Sequence, residues 1–348
     1  MDSKPVITKE TKNKIQVDYE GKLSTKERLL RKLKTSNTWM IVVVNIFRFI
    51  LMLGVSYVIL FPFFSKIAGS FMSREDVVDA TVSLIPKHFT LEIYQAVIVD
   101  NNYFEAFFNT LMISLICALI QTFVACLVGY GIAKFKFKLN KFVMVLVVIT
   151  MIIPHNTIEL AMIRHFTSFD IATVMSTGMQ GIVGLIFGQV SLRGTYWPFV
   201  ILSLGGIAFK NGLYIYLMRQ FFKGVPDELE ESAYVDGSNT FRTFLQIILP
   251  LSVPMMITVF LFSFSWQWTD NFYTELFLSG IKETKVWVMP DLLTTPLSLQ
   301  DSNFAGKALY YNVIQNTVGI MIIFPLVIMY LFCQKYLVQG IERSGLVG

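Results

Sequence analysis

The sequence predicts an all-α membrane protein with six transmembrane helices. Three observations carry this expectation. Of the 348 residues, 54% are hydrophobic and only 15% are charged, where a soluble domain carries about 25% charged residues. Mean hydropathy is +0.58. The apolar residues also gather in runs of the length that a bilayer requires, roughly 20 residues for a helix. The formal net charge is +5, but the basic residues sit beside apolar runs, which argues against a nucleic-acid partner. Cys117, Cys126 and Cys333 all fall inside these runs, so no disulfide framework is expected.

Residues 1–39 hold ten Lys and Arg and are expected to form a solvated, cytoplasmic basic tail that retains the first span. A cleaved leader is not expected, because the next run is too long and no small-x-small site closes it. The membrane domain extends over 40–334, with spans near 40–64, 104–133, 142–162, 198–218, 253–272 and 313–332. Arg48 lies within the first span, where its stem can reach the surface. Pro154 removes a backbone donor from the third and implies a kink. Residues 335–348 form a second cytoplasmic tail.

The stretch 171–190 is moderately apolar, with Gly178, Gly181, Gly184 and Gly188 at small-residue packing spacing. A seventh span there would reverse the orientation of everything downstream. Parity therefore assigns it to an external insert, about 167–195. With six spans and the N-terminus inside, 19 of the 29 Lys and Arg fall on the inner side and eight on the outer, as the positive-inside rule requires.

Between the fourth and fifth spans, residues 226–250 form the one densely acidic segment. Pro226 suits a first helical turn, and Asp227 and Glu228 complement the positive end of a helix. The helix is expected to reach about Asp236 and to stop at Gly237, which accepts a left-handed backbone. Ser238, Asn239 or Thr240 can cap a second short helix, expected to end before Pro250. The hook has too few large apolar residues to be held by a core of its own, so its expected support is a groove on another protein.

The run Glu231-Ser232-Ala233, Asp236-Gly237, followed by Leu249-Pro250 and Pro254, resembles the "EAA" loop of ABC-importer permeases. Ser232 stands where that family usually has alanine. From residue 40 onward, Asn109-Thr110, Tyr130 to Phe135, Trp268-Thr269-Asp270-Asn271 and Gln334 to Gly340 resemble the carbohydrate permeases of the maltose type, whose C-terminal tail ends in glycines as Gly345 and Gly348 do here. The resemblance implies a type I ABC-importer permease fold in a bacterial inner membrane. It makes Glu230, Glu231, Ser232, Ala233, Asp236 and Gly237 the residues of a coupling helix held by an ABC ATPase dimer. It further implies a second, non-identical permease subunit, an extracellular solute-binding protein and an oligosaccharide-type substrate. ATP and Mg²⁺ would be bound by the ATPase, and no cofactor by this chain.

The residues themselves agree that this chain is not an enzyme of its own. No GxxxxGK[ST] phosphate loop and no HExxH motif occurs. His155 and Glu159 stand one helical turn apart, without the third ligand that a zinc site uses. Polar residues inside spans are the candidate translocation path. His155, Asn156 and Glu159 follow Pro154, either lining a path or holding the kinked backbone. Lys210 in the fourth span is open to three readings: contact with an acidic substrate, a pair with Glu159, or snorkelling. Trp266 and Trp268 with Asp270 and Asn271 suit either an interfacial anchor or a platform for a sugar. The alternatives kept open are a permease of the same superfamily for a peptide or phosphate, and a membrane-embedded enzyme using His155 and Glu159.

The charge asymmetry generates a topology prediction. In a cysteine-free background, a cysteine at position 231 is expected to be inaccessible to an impermeant thiol reagent outside intact cells, and one within 167–195 to react.

Overall fold

The computed structural model describes residues 7–10, 16–19, 36–169, 190–278, 287–300 and 306–343. The chain divides into two units, 1–66 and 67–348. In the first, Ile7–Glu10 (β1) pairs antiparallel with Gln16–Tyr19 (β2), Ile7 opposite Tyr19. The hairpin lies within the basic N-terminal segment. The first long helix, Ser36–Gly69 (α1), has 34 residues. At about 1.5 Å per residue it exceeds the roughly 30 Å of a hydrocarbon core. Its side chains from 39 to 64 are exposed all round apart from Val42, a surface that water would not tolerate and lipid does.

The second unit begins with two short helices, Arg74–Val78 (α2) and Glu92–Asp100 (α3). Asp76 is buried and accepts from His88, through the backbone N–H and Nδ1. Tyr103–Lys134 (α4) follows, then Asn140–Ile152 (α5), Glu159–Thr167 (α6), Trp197–Leu204 (α7) and Asn211–Lys223 (α8). Glu228–Val235 (α9) and Thr240–Thr243 (α10) precede Leu249–Trp268 (α11). Phe272–Leu278 (α12) and Lys307–Arg343 (α13) complete the described chain.

The pillar is α4. One apolar cluster surrounds its Tyr103 end, where Ala106 and Ala118 meet Phe264 and Trp268 of α11 and Ile314 and Val318 of α13. A second lies midway, with Ile113 and Cys117 against Phe166, Phe199 and Phe277. The third lies at the Lys134 end, where Cys126 and Tyr130 meet Met218 and Phe222 of α8 and Met255 and Val259 of α11. Two glycines set the helix spacing. A Cβ on Gly129 would lie 2.7 Å from Met218 Cβ and 3.0 Å from Arg219 N, and one on Gly212 would lie 2.9 Å from the Val147 carbonyl. Such close approach is how helices gain packing where lipid supplies no hydrophobic drive. A buried polar knot adds to it. Gln121 Nε2 donates to Ser203 Oγ (3.1 Å) and Ser263 Oγ donates to Gln121 Oε1 (2.7 Å), tying α4, α7 and α11.

Two expected spans are broken. Helix α5 ends at Ile152, and the chain turns by 95° before α6. Pro154 disfavours helical backbone at the residue before it, and Ile153 is extended with ψ 120°. His155–Ile158 is a single 3-10 turn, so His155 and Glu159 do not share one α-helix as the spacing suggested. The stretch 198–218 is likewise not one span. It is α7 and α8, of 8 and 13 residues, separated by 205–210, where Gly206 (φ 69°) and Lys210 (φ 65°) are left-handed. Among the described residues four helices are long and apolar enough to cross a membrane, or five if α5 and α6 count as one. The insert 170–189 lies outside the described residues. At the other end α13 continues without a break to Arg343, so residues 335–343 extend the helix of the last span.

Overpacking at the α4–α8 contact is testable. Gly129→Val is expected to cost about 1–3 kcal/mol, read as a lower thermal midpoint of the purified protein by circular dichroism. Gly131→Ala, whose methyl meets nothing within 4 Å, is expected to leave the midpoint near parental.

Candidate functional site

The acidic hook begins as the sequence suggests. After Pro226, α9 runs from Glu228 to Val235, and the Glu231 N–H bonds the Asp227 carbonyl at 3.0 Å. Gly237 takes φ 85°. The Ser238 N–H returns to the Ala233 carbonyl (2.9 Å) and the Gly237 N–H to the Tyr234 carbonyl (3.0 Å), the pairing of a left-handed helix stop. Asn239 is the cap of α10, its Oδ1 accepting from Arg242 N at 2.8 Å. The second helix does not end before Pro250. A π turn over Phe244–Ile248, with Leu249 N–H bonded to the Phe244 carbonyl, carries α10 directly into α11. The widened turn gives a proline that lacks a donor room to follow without clashing with the carbonyl beneath it.

What holds the hook is its own chain, contrary to expectation. Val225, Phe244 and Ile248 are buried in the core at the Lys134 end of α4, and Ala233 is buried as well. The Tyr130 ring stands 4.9 Å from Phe244 and 5.4 Å from Phe222. Lys134, its side chain only 7% exposed, donates to the Val225 carbonyl (2.6 Å) and to the Asp227 carboxylate, and lies 3.8 Å from Glu230. Tyr130 OH donates to Glu230 Oε2 at 3.5 Å. Burial raises the Glu230 carboxyl above its ordinary range, although the Lys134 charge opposes it. The Lys134 hydrogen bond lowers that of Asp227. Glu230 and Ala233, expected to meet a partner, therefore face inward and seat the hook. The outward residues are Glu228, Glu231, Ser232, Asp236 and Gly237. Between them stand apolar side chains that the sequence reading passed over: Val235 at 87% exposed, Phe241 at 71%, and the half-exposed Leu229 and Tyr234.

The candidate path residues separate into two groups. His155 and Lys210, from the two broken spans, come together around Phe209. The His155 ring is 5.1 Å from Phe209 and its Nδ1 is 2.5 Å from Tyr273 OH. Lys210 Nζ lies 4.9 Å from the Phe209 ring centre and 5.0 Å from that of Trp266. Asn156 and Glu159 are exposed nearby in sequence, and among the described residues no ion pair joins Glu159 to Lys210. Trp268, by contrast, is 0% exposed, and its Nε1 donates to the Ile322 carbonyl at 2.9 Å, so it has no face left for a sugar. Asp270 is buried and caps α12 through Tyr273 N, Thr274 N and Thr274 Oγ1. Asn271 is exposed beside it. The tryptophan that offers a ring is Trp266.

Comparison with known proteins places this architecture. Residues 121–343 match the family described as binding-protein-dependent transport system inner membrane component. The chain belongs to that family. Among curated relatives, the arabinooligosaccharides transport system permease protein AraQ of Bacillus subtilis (strain 168) is 27% identical over 86% of this chain and 94% of AraQ. The probable starch degradation products transport system permease protein AmyC of Thermoanaerobacterium thermosulfurigenes is 26% identical over 80% of this chain and 89% of AmyC. The fold is shared with a chain from the crystal structure of a bacterial ABC transporter involved in the import of the acidic polysaccharide alginate. There the TM-score is 0.63 and the identity 21%, over 87% of this chain and 98% of that one.

As a binding-protein-dependent permease the chain is a multi-pass membrane protein, a transport component and not an enzyme, and its family works with an ATPase and a solute-binding protein. Within this permease the motif Asn109-Thr110 has a structural task. Asn109 Nδ2 donates to the Trp287 carbonyl (3.0 Å), and Thr110 Oγ1 accepts from Met289 N (2.8 Å), which pins the segment leading to α13. Removing the clamp on the hook is testable. Lys134→Ala leaves Glu230 and the Val225 carbonyl without their cation. It is expected to lower the local opening free energy of 226–237 by about 1–3 kcal/mol, measured as faster amide hydrogen exchange there, with exchange of 113–122 in α4 little changed.

Proposed function

We propose that this permease forms half of the translocation path of an ATP-driven importer for an oligosaccharide-type solute. The outward face of the hook is its docking surface for the ATPase. The single observation that carries this reading is a hook locked to the permease body by Lys134, while its opposite side presents exposed carboxylates around Val235 and Phe241. A rim of charge around an apolar centre is how protein interfaces are built. The substrate class follows the relatives, whose names concern arabinooligosaccharides and starch degradation products.

On this reading both termini and the hook are cytoplasmic, in keeping with the excess of basic residues assigned to that side. A second, non-identical permease encloses the path with this one. ATP and Mg²⁺ bind the ATPase dimer beneath, whose closure pushes the hook. Because Lys134 and the Tyr130 cluster join hook to pillar, the displacement passes to α4 and, through the Gly129 contact, to α8. The helices then rock as a rigid group and open the path to alternate sides.

Glu231→Ala and Gly237→Val are expected to abolish substrate-stimulated ATP hydrolysis by the reconstituted complex, while the solute-binding protein still binds at the far face. At Gly237 no atom lies within 4 Å of an added Cβ. The cost there is backbone strain, about 1–2 kcal/mol for a side chain in the left-handed region, and it tilts α9 against α10. Parental hydrolysis and uptake in both variants would remove the hook from the coupling role.

A further inference from the structure

The two interruptions of the membrane helices meet. Pro154 and the 3-10 turn at His155 end one broken span, residues 205–210 interrupt another, and Phe209 touches His155 across the gap. Irregular backbone at membrane depth survives only where protein buries it or where it lines a watered cavity. Broken helices facing one another are how transporters build midplane substrate sites. At this meeting point stands Lys210, exposed and left-handed at φ 65°. That backbone is strained for any residue but glycine or asparagine, and such strain collects at functional positions.

The surroundings of Lys210 are specific. Its ammonium rests against the rings of Phe209 and Trp266. These rings steady the charge but accept none of its three N–H donors in a hydrogen bond. Among the described residues no carboxylate pairs with it and no hydrogen-bond acceptor meets it. Trp266 is 46% exposed, so part of its ring is open. Tyr273 OH is committed to His155, which fixes the far wall. A cation at membrane depth is costly and is kept where a pathway uses it. A site that served only neutral hydroxyls would be equally well furnished by an uncharged donor.

We infer that Lys210 and Trp266 form a subsite for a carboxylate-bearing saccharide, and that the solute this permease carries is a uronate-containing oligosaccharide. The apolar C–H face of the sugar ring stacks on Trp266. The uronate carboxylate takes charge-assisted hydrogen bonds from Lys210 Nζ. This rests on the oligosaccharide-importer reading above and adds the charge of the substrate to it.

The test uses the complete importer in proteoliposomes, with a mixture of uronate oligosaccharides, the same compounds after carboxyl reduction, and neutral oligosaccharides. The lumen is analysed by mass spectrometry with and without ATP. Lys210→Asn removes the charge while suiting the left-handed backbone, and Lys210→Arg keeps the charge. Co-purification of each variant with the ATPase establishes that it is assembled. The expected result is ATP-dependent accumulation of the uronates by the parental protein and by Lys210→Arg. Lys210→Asn is expected to reduce it about 10- to 100-fold, the size of a lost hydrogen bond to a charged group. Accumulation of neutral or carboxyl-reduced sugars in preference to uronates, or undiminished uronate uptake by Lys210→Asn, overturns the inference and leaves the importer reading standing. If no saccharide of either class accumulates while the vesicles hydrolyse ATP, the oligosaccharide reading fails and the inference with it.

Discussion

The structure depends on how one helix, α4, is held at close range. At Gly129 the absence of a side chain lets the backbone of α8 approach to a distance that any Cβ would block. Five residues further on, Lys134 reaches across to the Val225 carbonyl and Asp227. The same helix therefore packs the membrane core and grips the hook. A buried ammonium is stable only with its donors engaged, so the hook cannot drift from α4 without leaving that charge bare. Mechanical connection between the hook and the helices follows from this electrostatic requirement, and needs no long chain of intermediaries.

The second constraint is the absence of water in a bilayer. A helix broken in lipid exposes backbone groups that must find partners. Here the breaks are gathered rather than scattered. The interruptions at 153–158 and 205–210 share Phe209 and Tyr273, and the π turn at 244–248 lies where α10 enters α11. The polar knot of Gln121, Ser203 and Ser263 satisfies side chains deep between helices. Regular helix is thus kept where the surface meets lipid, as along α1, and irregularity is kept where other protein covers it or a path runs.

Much of this was legible in the residues. Apolar run length located α1, α4, α11 and α13, because twenty-odd apolar residues have few other uses. Gly237 and Asn239 were legible as stop and cap, since both act through local backbone chemistry. Three things were not legible, and each depends on contacts distant in sequence. Pro154 indicated a kink, but not a 95° turn that ends the helix. The interruption at Gly205-Gly206 carries no proline, and the apolar run masked it. Lys134 stands with Lys136, Lys138 and Lys141 after an apolar run, and nothing local marks it as the one that folds inward. Trp266 and Trp268 are alike by composition, and only the burial of Trp268 against α13 decides which of them offers a ring.

Coupling by the hook requires that its outward face be the surface that meets the ATPase. The most direct measurement is site-specific cross-linking in the assembled importer, with a single cysteine at Val235 and Cys117, Cys126 and Cys333 replaced. Val235 is exposed and faces away from the core. The predicted result is a cross-link to the ATPase subunit whose yield changes between the ATP-bound and nucleotide-free complex. A cross-link to the solute-binding protein instead, or none to the ATPase in a complex that contains it, would contradict the account.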